Sequence, residues 1–473
     1  MVKQKTGNTR IYVVFFSSGF QGECRIYLIY HPDMKVMKNQ EILEKLKDKC
    51  EDVEFVGEVE LVKPEEAILN IKEQKEDLDG LLVFGPPPDE LISVGLPVVA
   101  VYPLWGRWMP PFDAYEENKV VTSCLPVIGD RDPYVYSLRV EDIARKVKLI
   151  DAIARMKELK VLVVTDLPLL GYFEPMGLQI ERSREEYERI YLDGLEETFG
   201  TELVPVPQEE LFEKMNETED EEARKVAEKW INEAITIRGT NEAEVLKSAK
   251  LYLAMKELMD KHSCGAITTE GYGWPGFEKG FFPSQGLPSS QFCTDGIVAT
   301  SETLIDSLIT QQLGLYVTGR PSFNGDYIID PLNNIAIIGH CEGSFSPYGD
   351  GRRVHYVIRN LPLMEENTGG ACVQINYPIG ETVTVAKVSI YEKKISVFTG
   401  KTVCGEELFP YWDDILCRTK VAIKTDAKAL FENVDWRTFG NHRVAFYGDC
   451  RQEFKDLAKL IGFEVVEKDK IRH

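Results

Sequence analysis

Short apolar runs set apart by helical periods constrain this chain more than any other feature. IYVVFF (11–16), VEFVG (53–57), GLLVFG (80–85) and LPVVAVY (96–102) are strand-sized, largely apolar, and bounded by turn residues. Runs of that kind belong to strands buried on both faces, the condition of parallel strands covered by crossover helices. NQEILEKLKDKC (39–50) supplies one such helical period. The pattern predicts an open α/β domain over 1–157. A second α/β unit, 158–320, opens with LKVLVVTD (159–166), a strand ending in an aspartate. Helical segments follow at 183–199, 218–234 and 241–262, the last with Asn241 placed as its N-cap. CGAITTEG (264–271) reads as a strand running into a loop.

From about residue 320 the texture changes. IAIIGH, RRVHYVIRN, GACVQINY, ETVTVAKVSIY and KKISVFTGK succeed one another with Gly, Pro, Asn and Thr between them. Several alternate apolar with polar residues, the period of a half-exposed antiparallel strand. The expectation is a β-rich third domain, 321–473, closed by a helix and strand over 449–469. Its acidic balance, 77 Asp and Glu against 55 Lys and Arg for a net charge of −22, disfavours nucleic acid and anionic membranes as partners. A neutral substrate or a cation suits it better. The longest apolar runs have strand length, and MVKQKTGNTR leads into a strand rather than an apolar leader, so a cytoplasmic protein is expected. The ten cysteines never form CxxC and read as reduced thiols, with no zinc-ribbon spacing.

GxSxG, P-loop and HExxH signatures are absent, and GLLVFGPPPDE lacks the GxGxxG fingerprint of dinucleotide binding. The polar residues that stand out cluster late in the chain. Glu302 lies in ATSETLIDSLITQQLG, which reads as a helix starting near Thr300 or Ser301. Asp326 follows PSFNG at a loop edge, and Asp330 is a second acid four residues on. His340 closes the run IAIIGH beyond an Asn-Asn turn signal, and His442 lies in FGNHRVAFYGD. Of six histidines, these two occupy strand–loop edges of the β-rich domain. Glu, Asp and His without a cysteine cluster form an oxygen-rich donor set suited to Mn²⁺ or Mg²⁺. An ion so held grips two adjacent oxygens of a substrate while the carboxylates move protons.

These segments resemble the L-fucose isomerase and L-arabinose isomerase superfamily of metal-dependent aldose–ketose isomerases. VATSETLIDSLITQQLGLYVTGRPSFNGD (298–326) is similar to the segment carrying the family's two metal-binding carboxylates, matched by Glu302 and Asp326. GDYIIDPLNNIAIIGHCEGSFSP resembles the segment with a metal-site histidine, matched by His340, and GNHRVAFYGDCRQEFKDLAKLIGFEVVE the one with the last metal-binding histidine, matched by His442. The likeness covers about 240–345 and 436–466. SFNGD carries one residue more than the family's spacing, which keeps Asp330 as an alternative acid, and Asp295 in FCTDG lies at a different spacing.

The resemblance implies two Rossmann-like doubly wound domains followed by a β-barrel-like C-terminal domain, with the site where the second and third domains meet. It implies isomerisation of an unphosphorylated sugar through a cis-enediol. Glu302 and Asp326 would be acid/base pair and metal ligands, His442 a ligand, and His340 a ligand or an orienting neighbour. The ion would be Mn²⁺, or Mg²⁺, Co²⁺ or Fe²⁺, and the assembly a homo-oligomer, trimer or hexamer. Trp274 and Tyr272 in TTEGYGWPGF, and the tryptophan-rich stretch YPLWGRWMPPFDAY (102–115), are candidates for sugar contact or an interface. Two other readings use the same residues: a non-catalytic sugar-binding or regulatory protein, and a metal-dependent carbohydrate epimerase or lyase.

Overall fold

The computed structural model describes residues 8–16, 35–36, 39–57, 61–62, 64–84, 87–103, 119–125, 127–128, 133–166, 183–270, 283–361, 370–414 and 417–470. Tyr272, Trp274 and the tryptophans of 104–118 lie outside these residues. The described residues divide into two compact units, one drawn from 8–156 with 455–464, the other from 157–454 with 465–470.

The first unit is built on a parallel sheet. β1 (Thr9–Phe16), β2 (Val53–Val56), β3 (Gly80–Phe84), β4 (Val98–Pro103) and β5 (Val120–Leu125) run in the order β2-β1-β3-β4-β5. GLLVF is buried at every position because both faces of its strand are covered. Tyr12, Val14, Leu81, Val83, Val98 and Ala100 make one face of that core with Ala67 and Ile71 from the helix Pro64–Glu73.

The second unit begins with another parallel sheet. β6 (Lys160–Val164), β7 (Glu202–Val206), β8 (Ala266–Thr269) and β9 (Ala299–Ser301) lie in the order β7-β6-β8-β9. Helix α1 (Glu242–His262) covers it with Leu251, Met255 and Leu258. The Asn241 side chain accepts from the Ala243 and Glu244 N–H groups and so caps α1, as its position predicts.

An antiparallel barrel follows. β10 (Phe323–Asp330), β11 (Ile335–His340), β14 (Thr382–Ser389), β15 (Lys394–Val403), β16 (Thr419–Lys424) and β17 (His442–Tyr447) pair in the order β14-β17-β10-β11-β16-β15, and β15 returns to β14 to close the ring. Phe323, Tyr327, Ile338, Val385, Phe398, Val421 and Tyr447 fill it, each such side chain contributing roughly 1.5–3 kcal/mol by burial. IAIIGH is buried throughout because Ile335 and Ile337, on the outer face, are covered by Phe409 and Trp412. Two strands expected within the β-rich domain stand outside the ring. β12 (Tyr356–Arg359) and β13 (Cys372–Ile375) form a separate ladder with Ile237–Arg238. Their apolar face packs on Ala223, Ala227, Trp230 and Ala249 of the helices Asp220–Glu233 and α1, so burial draws them to the helices.

Helix α2 (Ile305–Thr318) joins the parallel sheet to the barrel and packs on β14 and β17. Its Gly314 makes that approach possible, because a Cβ there would stand 2.1 Å from the Phe446 ring.

Candidate metal centre

Glu302 lies between β9 and α2. The expected helix start at Thr300 or Ser301 is corrected here: Ala299–Ser301 extends the parallel sheet by pairing with β8, and the helix begins at Ile305. Glu302 and Thr303 form the turn between them, both left-handed at φ 67° and 51°. The Thr303 N–H donates to the Thr269 carbonyl at 3.0 Å, which pins the turn to the end of β8. Non-glycine residues held in this region carry strain.

Asp326 is not at a loop edge. It lies within β10, opposite His442 of β17 on one side and Gly339 of β11 on the other. The hairpin β10–β11 thus brings Asp326 beside the strand end that carries His340, and the neighbouring strand adds His442. Asp330 pairs with Ile335 at the far end of the hairpin, where it accepts from the Leu332 and Asn333 N–H groups. It is a turn former, removed from the site along the strand. Asp295 caps the helix α3 (Gly286–Thr294) and accepts from the Gln291 amide at 2.8 Å.

The carboxylate of Glu302 lies between two imidazoles. His340 Nε2 is 3.6 Å from one oxygen and His442 Nε2 3.6 Å from the other. One ligand atom from each of the three residues falls within 4.8 Å of the others. All three are buried, at 8%, 7% and 2% exposure for Glu302, His340 and His442. Asp326 reaches His442 Nε2 at 3.7 Å but leaves 43% of its side chain exposed, forming the open rim. Its Oδ1 also accepts from the Asn441 amide at 3.2 Å, and the Cys417 thiol points at Oδ2 from 3.8 Å.

The hydrogen bonds fix the protonation of His442. The Asn441 amide nitrogen donates to the Asp326 carboxylate, so its Oδ1 is the atom facing His442 Nδ1, 2.9 Å away. Nδ1 therefore carries the proton and Nε2 presents a lone pair. Burial pushes the His442 pKa down to about 3, so the ring is neutral. Burial also works against charge on His340, but the Glu342 and Glu302 carboxylates overcome it and hold its pKa well above the ordinary histidine value. Glu302 feels burial first as well; His340 and His442 outweigh it and keep its carboxyl below the usual range. Burial raises Asp326, with Glu302 reinforcing the shift and His340 opposing it.

His442 Nε2 has no hydrogen-bond partner, and neither does His340 Nδ1. A lone pair facing two carboxylates across gaps of 3.6 and 3.7 Å is an arrangement that a cation relieves. An ion with bonds of about 2.1 Å keeps its donor atoms roughly 3 Å apart when adjacent and roughly 4.2 Å when opposite, and the observed gaps fall between. The donor set fits a divalent cation.

Two neighbours carry roles that the sequence did not reveal, although Asn441 stands out there as the residue replacing a second histidine beside His442. Asn441 sets the His442 tautomer, and Glu342, 4% exposed, reaches His340 Nδ1 at 3.8 Å. Both stand within two residues of a histidine already singled out, and that proximity was the available signal. A cavity of about 400 Å³ lies beside the barrel, lined among others by Gln374, Asn376, Trp412, Asp413 and Lys420. None of the cluster's residues lines it, but Lys420 pairs with Gly339, which pairs with Asp326, placing the three on one cross-strand row. Among the described residues no helix is long and apolar enough to cross a membrane. No family model and no curated protein sequence matches the chain.

Proposed function

We propose that this chain is a metal-dependent aldose–ketose isomerase acting on an unphosphorylated sugar, of the fucose and arabinose isomerase kind, with Rossmann-like parallel sheets ahead of the barrel. One observation carries the reading: the unpartnered lone pair of His442 Nε2 directed at the Glu302 and Asp326 carboxylates. Glu302, His340 and His442 would hold a divalent cation, Mn²⁺ or else Mg²⁺ or Co²⁺, with Asp326 at the rim. When bound, it supplies the positive charge that polarises the carbonyl of an open-chain sugar.

The protein's own groups divide the remaining work. Asp326 is the partly exposed acid of the site, and burial raises its pKa toward the range in which a carboxylate takes and returns a proton. It removes the proton from C2 of the aldose and delivers it to C1 through a cis-enediol, while the O2 hydroxyl proton passes to O1, so the carbonyl moves from C1 to C2 with no net gain or loss of protons. Asn441 holds Oδ1 of Asp326 and leaves Oδ2, faced by the Cys417 thiol, as the mobile base. Glu302 is buried and turned inward, a ligand and the second carboxylate of the pair. The cavity beside Lys420 offers Trp412 as a flat apolar face, with Gln374 and Asn376 as amide partners for hydroxyl groups.

The test is deuterium exchange. A panel of unmodified aldoses and ketoses is incubated in D₂O with wild type and Glu302→Gln, each stripped with EDTA and then given Mn²⁺. Deuterium entering C1 or C2 with Mn²⁺, and in wild type only, is expected. A wild type that takes up Mn²⁺ yet exchanges no sugar overturns the isomerase; one that takes up no Mn²⁺ overturns the metal centre.

A further inference from the structure

His340 has two ring nitrogens and only one faces Glu302. The other, Nδ1, is buried without a hydrogen bond, and the nearest carboxylate oxygen is Glu342 Oε1 at 3.8 Å. Glu342 is itself 4% exposed, a carboxylate placed where water cannot reach it. It stands beside the one ring nitrogen of His340 that does not face Glu302.

Its direction is set by the chain around it. Gly343 follows with φ 145°, a conformation other residues rarely adopt. A Cβ at Gly343 would stand 2.5 Å from the Tyr377 hydroxyl, and its N–H donates to Ser290 of α3 at 3.1 Å. Glu342 is thus held from its C-terminal side by a glycine turn and from its N-terminal side by β11.

We infer that Glu342 is the positioning residue of this centre: it takes the Nδ1–H of His340 and turns Nε2 toward the ion. The inference rests on the metal-centre reading above. A metal-bound imidazole whose other nitrogen donates to a carboxylate is fixed in tautomer and orientation, and loss of that partner typically weakens the metal by about 10–100-fold.

The experiment uses the full chain and Mn²⁺ alone, read by the paramagnetic resonance of free Mn²⁺ after EDTA treatment. Glu342→Leu removes acceptor and charge, while Glu342→Gln keeps an acceptor. The expected result is a Kd raised about 10–100-fold in Glu342→Leu and largely recovered in Glu342→Gln, with no loss of melting temperature in EDTA. A Kd within threefold of wild type in Glu342→Leu overturns the role of Glu342 and leaves the metal centre standing. No Mn²⁺ binding by wild type overturns both. If Glu342→Leu does not fold, nitrogen NMR of the imidazoles in Mg²⁺-loaded Glu342→Gln decides: a shifted His340 Nδ1 resonance is expected, and an unmoved one overturns the contact.

Discussion

Replacing His442 by leucine is expected to stabilise the metal-free protein while abolishing its response to Mn²⁺. His442 is 2% exposed, its ring is neutral, and its Nε2 has no partner. A buried polar atom left unpaired costs about 1–3 kcal/mol, which leucine, of similar bulk, recovers. The substitution also removes the Nδ1 bond to Asn441, about 0.5–1.5 kcal/mol, and Asn441 is partly exposed, so water takes up part of that loss. The balance is a gain of about 1 kcal/mol in EDTA. Mn²⁺ at a hundredfold excess over its Kd adds about 2.7 kcal/mol to the wild type and nothing to the variant, so the order of stabilities reverses. Calorimetric melting of both proteins, in EDTA and in excess Mn²⁺, reads the crossing. If His442→Leu melts below wild type in EDTA, the imidazole is a satisfied structural group and the argument from its lone pair fails.

Two further substitutions test the surroundings of the site. Gly314→Ala should destabilise the second unit: overpacking against Phe446 costs about 1–3 kcal/mol, only partly offset by the roughly 1 kcal/mol by which alanine favours a helix. Equal or higher stability in urea would mean that α2 can move off the barrel. Lys420 gives a pH signature, since burial pushes its pKa down from 10.5 to about 8. Between those values the unfolded chain binds the extra proton, so stability rises with pH through about 8 to 10.5 and is lowest, for this group, below 8. Lys420→Met should flatten that rise in urea midpoints measured from pH 7 to 10.5, and an unchanged slope would assign it to other groups.

The parallel sheets were legible because burial on both faces leaves a mark in one dimension. GLLVF and KVLVV carry almost no polar residue, and strands covered from both sides tolerate none. The barrel was legible as β-rich texture, but its closure was not. Thr382–Ser389 forms a local hairpin with Lys394–Val403, but its other partner, His442–Tyr447, lies some sixty residues on, and no local period encodes such a partner. The same limit explains β12 and β13. RRVHYVIRN and GACVQINY have the alternation of barrel strands, and only the apolar surface offered by Trp230 and its helix draws them elsewhere.

At the site, residue types were readable and local conformations were not. His340 was placed at a strand end and lies there, because an apolar run closed by polar residues is a local signal. Glu302 was placed in the first turn of a helix, where an acid after Thr and Ser is a common cap. Its real conformation is decided 33 residues upstream in sequence, by the Thr269 carbonyl that holds Thr303 and extends the sheet through Ser301. A glycine would adopt φ 67° with little strain but would bring no carboxylate. The turn accepts strain at the one position where the chain aims an acid between two buried imidazoles, and the hydrogen bond from Thr303 prevents it from relaxing into the helix that the sequence alone predicts. Strain of this kind marks a site whose geometry is set by the surrounding fold rather than by local propensity. That separates Glu302 from Asp330, whose carboxylate is fully occupied by the hairpin turn it forms.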